Sequence, residues 1–144
     1  MTTTIGMVLA IVGGVTAINL LVWLPILRKL KRMPDELRAE LATETIVAGP
    51  DRCAFAGSTK SFGKVRGLGM AVLTNERFLF RKAIGKQIVI PRAEISTARL
   101  ERGAFLGARN RGYPYLVLMT TDGADVGFVF DGATGEQWLA TLAR

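Results

Sequence analysis

The chain has 144 residues, 49% of them hydrophobic, with 19 Lys and Arg against 12 Asp and Glu. Histidine is absent and Cys53 is the single cysteine, which excludes a histidine-dependent catalytic triad, a Cys-His zinc site, a histidine-ligated haem and an intramolecular disulfide. Mean hydropathy is +0.29 although 22% of residues are charged, so apolar and charged residues must be segregated along the chain.

The segregation begins at once. From Ile5 to Leu27 no residue is charged, and at 1.5 Å per residue a helix of that length reaches about 35 Å, enough to cross a membrane. The basic residues Arg28, Lys29, Lys31 and Arg32 follow this run rather than precede it, which argues against a cleavable signal peptide. The positive-inside rule then predicts an N-terminus outside and a cytoplasmic C-terminal domain. Residues 1–28 are therefore expected to be a transmembrane anchor in the cell inner (plasma) membrane, with Trp23 near its inner boundary and Pro25 kinking or ending the helix. A lone unpaired cysteine in the remainder fits a reducing compartment. Gly6, Ala10 and Gly14 recur every four residues, giving one smooth face for a second helix, and Asn19 adds an amide that lipid cannot satisfy. Two readings stay open: a partner helix from an integral membrane protein, or ordinary transmembrane composition with Asn19 bonded to its own backbone.

Residues 29–49 read as a basic juxtamembrane connector. Pro34 at a first helical position, Asp35 and Glu36 in the first turn, and Leu37 with Leu41 four apart predict a short amphipathic helix. After Gly49-Pro50 the texture changes to short runs rich in Val, Ile and Phe, punctuated by turn residues. Seven strands are expected, over 52–58, 65–74, 77–83, 87–91, 94–102, 115–121 and 125–130. Val126, Phe128 and Phe130 alternate and so share a face, after a turn at Thr121-Asp122-Gly123. Thr134 to Gln137 has the spacing of a capping box, and Trp138, Leu139, Leu142 and Ala143 line one face of a final helix suited to closing the end of a β-barrel.

Gly69, the run from Val72 to Phe80 (Val-Leu-Thr-Asn-Glu-Arg-Phe-Leu-Phe), Ile88-Val89-Ile90-Pro91 with Ile95, and the terminal helix with Trp138 resemble the bacterial pleckstrin-homology and GRAM-like domains. The resemblance covers most of residues 50–144. It implies a mainly β fold, a seven-stranded, two-sheet barrel plugged by the C-terminal α-helix. Phe78 departs from the pattern, where Leu usually follows the Arg. The motifs are structural, so they speak to fold more than to function.

Residues 51–112 carry 13 basic and 4 acidic residues, whereas residues 113–144 carry 1 and 4. Within the basic part, Lys60, Lys64 and Arg66 resemble the pattern by which some eukaryotic pleckstrin-homology domains hold phosphoinositide headgroups. They are the candidate lipid or phosphate site, against the alternative of a solvated strand. The stretch from Gly103 to Gly112 is longer than a hairpin needs, and its Phe105, Leu106, Arg109 and Arg111 are candidate partner contacts unless the apolar pair folds back onto the barrel. A pI near 10.2 raises nucleic acid as a partner, but no aromatic platform accompanies the cations. No paired carboxylates, phosphate loop or nucleophile-base pattern occurs, and no metal or cofactor is implied. Cys53 beside Arg52 is either an activated thiol or a small buried hydrophobe. The expected function is a noncatalytic accessory or assembly subunit of a membrane complex, with anionic lipid headgroup sensing as the alternative.

Overall fold

The computed structural model describes residues 2–110, 112–131 and 133–144. Its first element, α1 (Thr2–Glu40), is one unbroken helix of 39 residues with Pro25 and Pro34 both inside it. Of the two outcomes expected at Pro25, a kink or an end, the end does not occur, and the separate short helix expected from Pro34 is the last part of the same helix. Each proline removes one backbone bond, but Pro34 sits among Leu30, Met33, Leu37 and Leu41, all of them buried. Their three- and four-residue spacing gathers them on one helix face, and burying four large side chains, at about 1.5–3 kcal/mol each, outweighs one lost hydrogen bond. The N-terminal part of α1 is long and apolar enough to cross a membrane, and its side chains are exposed.

The rest is a seven-stranded antiparallel sheet with strand order β4-β3-β2-β1-β9-β8-β5. The strands are β1 (Ile46–Ser58), β2 (Gly67–Thr74), β3 (Arg77–Lys82), β4 (Ile88–Pro91), β5 (Ile95–Glu101), β8 (Tyr115–Thr120) and β9 (Asp125–Phe130). Between β5 and β8 lies a small hairpin, β6 (Ala104–Phe105) with β7 (Ala108–Arg109). β1 starts six residues earlier than the sequence suggests, because it runs through Gly49-Pro50 with two register shifts against β2. Gly49 has φ +83°, and a side chain there would collide with the Ala71 carbonyl, so only glycine carries the strand through this irregular stretch.

The sheet is strongly curled. Phe78 on β3 and Phe128 on β9 are three strand spacings apart, about 14 Å on a flat sheet, yet their ring centroids lie 4.9 Å apart. The concave face encloses the main core, which includes Phe55, Leu73, Phe80, Ile90, Leu118 and Val126. One mouth is covered by α2 (Thr134–Leu142). Its Trp138 stacks on Phe130 at 5.0 Å, meets Phe78 edge-on at 5.8 Å, and donates its indole N–H to Asp51 Oδ2 at 2.8 Å. The expected capping box does not form: Ala133 occupies the N-cap without a side-chain hydrogen bond, and Thr134 is already helical.

The convex face is covered too. The C-terminal third of α1 lies over β2 and β3, packing Leu30, Met33, Leu37 and Leu41 on Met70, Val72, Leu79 and Ala83. The β6–β7 hairpin lies over β8 and β9, packing Phe105 on Tyr115 and Val117. Strands buried on both faces need apolar residues at every position. That is why Met70 to Leu73 and Tyr115 to Leu118 read as continuous runs rather than alternations.

Candidate functional site

Between these two covers the convex face is open. The outer side of β1 and β2 is floored there by Ala54 and Ala56, whose small side chains leave a groove of about 560 Å³. One wall is α1 itself, through Trp23 and Ile26; the loops after β1 and β3 contribute Val65 and Ile84; Arg66 and Asn110 add polar groups at the rim. Val65 is 77% exposed and Ile84 71%, unusual for aliphatic side chains beside so much unfilled apolar surface. Both are flanked by cations, Lys64 and Arg66 around Val65 and Lys86 after Ile84. The Lys82 ammonium ties the β1–β2 loop down by donating to the Val65 carbonyl at 3.3 Å, while lying 4.5 Å from the Phe55 ring centroid.

The sequence candidates fare differently. Lys60 is turned to the β8–β9 turn, where its ammonium donates to the Asp122 carbonyl at 2.6 Å. Lys64 and Arg66 are exposed on the β1–β2 loop, and of the three cations Arg66 is the one that lines the groove. Phe105, a candidate partner contact unless it folds back onto the barrel, does fold back: it is 6% exposed, with its ring tilted against Tyr115 at 5.6 Å. The reason lies across the sheet at Gly127, where a β-carbon would collide with the Phe105 ring. Phe105 is thus part of the fold, not a docking tip. Leu106 stays partly exposed at φ +50°, Arg109 is exposed, and Arg111 lies outside the described residues. On α1, Gly6 and Gly14 have open space around them, Ala10 is exposed, and the Asn19 amide donates to the Val15 carbonyl at 2.9 Å. One Asn19 N–H thus has a partner one turn back on its own helix.

A second constellation locks the end of α1 to the sheet. Glu44, just past the helix, accepts from Arg77 Nη2 at 2.7 Å and from the Thr74 hydroxyl at 2.7 Å, and Glu40 pairs with Arg81. The Thr74 and Arg77 bonds hold the Glu44 carboxyl below the ordinary glutamate range. The Thr74 hydroxyl also accepts from the Glu76 and Arg77 amides, so the Thr-Asn-Glu-Arg turn that marks the sequence is the anchor point for the helix. Cys53 is buried in the main core. Burial, helped by the nearby Asp51 charge, pushes its thiol well above the ordinary range, so it packs as a hydrophobe and is a poor nucleophile. Among the described residues no three His, Cys, Asp or Glu side chains are grouped as a metal site requires.

The groove was missed in the sequence because its walls come from segments about 40 and 60 residues apart. Its one legible signal is the placement of an aliphatic residue beside cations in two loops, Lys64-Val65-Arg66 and Ile84-Gly85-Lys86.

No protein-family model and no curated protein matches the chain. Among solved structures, the C-terminal domain of an unknown protein from Leishmania infantum is similar with a TM-score of 0.49 and 16% identity, over 74% of this chain and 88% of that one.

Proposed function

We propose that the chain is a noncatalytic single-pass membrane protein that fixes a pleckstrin-homology-like interaction module against the cytoplasmic surface of the inner (plasma) membrane, as an accessory or assembly subunit of a larger membrane complex. The observation that carries this reading is the continuity of α1: the helix long enough to span enters the domain without a linker, and its last turns are part of the domain's convex-face core. A sensor that searches a surface needs slack between tether and module; here the module has a fixed height and orientation, as a subunit of an assembly does. The strand order, the curled sheet and the Trp138 helix over its mouth support the pleckstrin-homology-like reading. Arg28, Lys29, Lys31 and Arg32 directly after the span support the cytoplasmic placement.

The competing reading, an anionic-lipid sensor, is favoured by the exposed Lys64, Arg66 and Lys86 around the groove. The two separate in one experiment. Tagged full-length protein taken from native membranes in mild detergent should carry an integral membrane protein in fixed stoichiometry, and Gly6→Ile with Gly14→Ile should release it while leaving the β domain folded. Purification as a lone chain that binds anionic vesicles would overturn the subunit reading. A reporter active only in the cytoplasm, fused after Arg144, should be active; activity of an external reporter there would overturn the orientation.

A further inference from the structure

The open groove on the convex face has an address as well as a shape. Its wall residues Trp23 and Ile26 belong to the charge-free stretch of α1, and the first cation, Arg28, comes two residues after Ile26. At 1.5 Å per residue, Trp23 sits about 6 Å before the end of that stretch. When α1 crosses a membrane, the groove therefore opens at the boundary between acyl chains and headgroups, facing lipid rather than bulk water.

Its chemistry suits that depth. The floor and walls are mostly apolar: Trp23, Ile26, Ala54 and Leu68. The protruding Val65 and Ile84 would be costly in water but gain by entering the outer acyl layer. Arg66, at the rim, makes no ion pair with any described residue, and its planar guanidinium suits a phosphodiester. A volume of about 560 Å³ is in the usual range for sites that enclose a small ligand, about 300–1,000 Å³. We propose that the groove between α1 and the outer face of β1–β2 holds one acyl chain of an inner-leaflet glycerophospholipid, with Arg66 on its phosphate. The lipid fills the gap that the helix and the β6–β7 hairpin leave on the convex face, so that Val65 and Ile84 rest in the membrane on either side of it.

This inference rests on the membrane-spanning reading of α1, and the test keeps the two apart. The full chain is reconstituted in phosphatidylcholine vesicles carrying a trace of phosphatidylcholine with a diazirine partway along one acyl chain, irradiated and mapped by peptide mass spectrometry. A parallel sample replaces part of the host lipid with phosphatidylglycerol. Adducts are expected at Val65, Leu68 or Ile84 as well as within residues 5–27, in both samples, because a phosphodiester is common to both lipids. Ala54→Trp, which fills the groove floor, should lower the loop adducts at least tenfold and leave those on residues 5–27 unchanged. Arg66→Gln should lower them severalfold. Should Ala54→Trp lower the melting temperature, Ile84→Asp, on an exposed loop, serves instead with the same expected loss at Val65 and Leu68. Adducts confined to residues 5–27, or loop adducts that survive these changes, would overturn the groove site. Absence of adducts on residues 5–27 would overturn the membrane reading beneath it.

Discussion

Two leucines of α1 lie in opposite circumstances: Leu21 is 73% exposed, and Leu37 is fully buried against the sheet. The same truncation at both sites weighs the helix–sheet seam. Leu37→Ala removes buried side-chain volume from a cluster shared with Met33, Leu41, Met70, Val72 and Leu79. Such truncations cost about 2–5 kcal/mol, the upper part of the range applying where the surroundings cannot collapse. Met70 and Leu79 are paired with strands on both sides, and Val72 is paired with Leu79, so the cavity has little room to close. At 1.4 kcal/mol per decade this corresponds to roughly 30-fold to a few thousand-fold in the opening equilibrium. Hydrogen exchange of the full chain in detergent reads it directly: amides of Met70–Leu73 and Phe78–Phe80 should exchange faster in Leu37→Ala by such a factor, and at the wild-type rate in Leu21→Ala. Acceleration confined to residues 30–41, with the sheet amides unchanged, would refute the claim that the helix end is part of the domain core.

The mouth of the sheet should be equally sensitive. Trp138→Ala should destabilise by about 3–5 kcal/mol in denaturant unfolding, while Glu136→Ala, whose exposed carboxylate is 3.6 Å from Arg102, should stay within about 0.5 kcal/mol; equal stability of Trp138→Ala and wild type would count against the lid. The Glu44 latch predicts an acid dependence. Because the Thr74 and Arg77 bonds hold its folded pKa below that of an ordinary glutamate, its stabilising effect is full above the ordinary value and is lost as pH falls through the lowered one. Glu44→Gln should therefore be less stable than wild type at pH 6, and the gap between them should narrow toward pH 3; a constant gap would show that ionisation contributes nothing.

Much of the sheet was legible because each strand is bounded by turn chemistry that acts locally, as at Thr74-Asn75-Glu76 and Thr121-Asp122-Gly123. All seven expected strands are present in the sheet. Three features were not legible, for physical reasons that are all non-local. Pro34 looks like a helix start because intrinsic propensity favours it at the first turn; what carries the helix through it is the sheet beneath Leu30, Met33, Leu37 and Leu41. Phe105, in a long connection, reads equally as an exposed tip or as folded back; what decides for burial is the missing side chain at Gly127, 22 positions later, in a strand not paired with its own. The start of β1 was hidden by Gly49-Pro50, a pair that ordinarily ends a strand and here passes through one. Cys53 illustrates the reverse case: a small apolar role was one of two readings, and its burial also means that protection from thiol reagents reports packing rather than the side of a membrane.

The rigid junction between α1 and the sheet also sets a compass bearing. An α-helix advances about 100° per residue, so Gly14, sixteen positions before Leu30, points about 160° away from the side that meets the sheet. Ala10 and Gly6 lie about 40° and 80° further round, still on the far half of the rod. With no swivel at the junction, any turn of the upper helix about its long axis sweeps the β domain through the same angle, like a flag on a turning pole. Whatever approaches the glycine side therefore meets bare helix, with the flag flown to leeward.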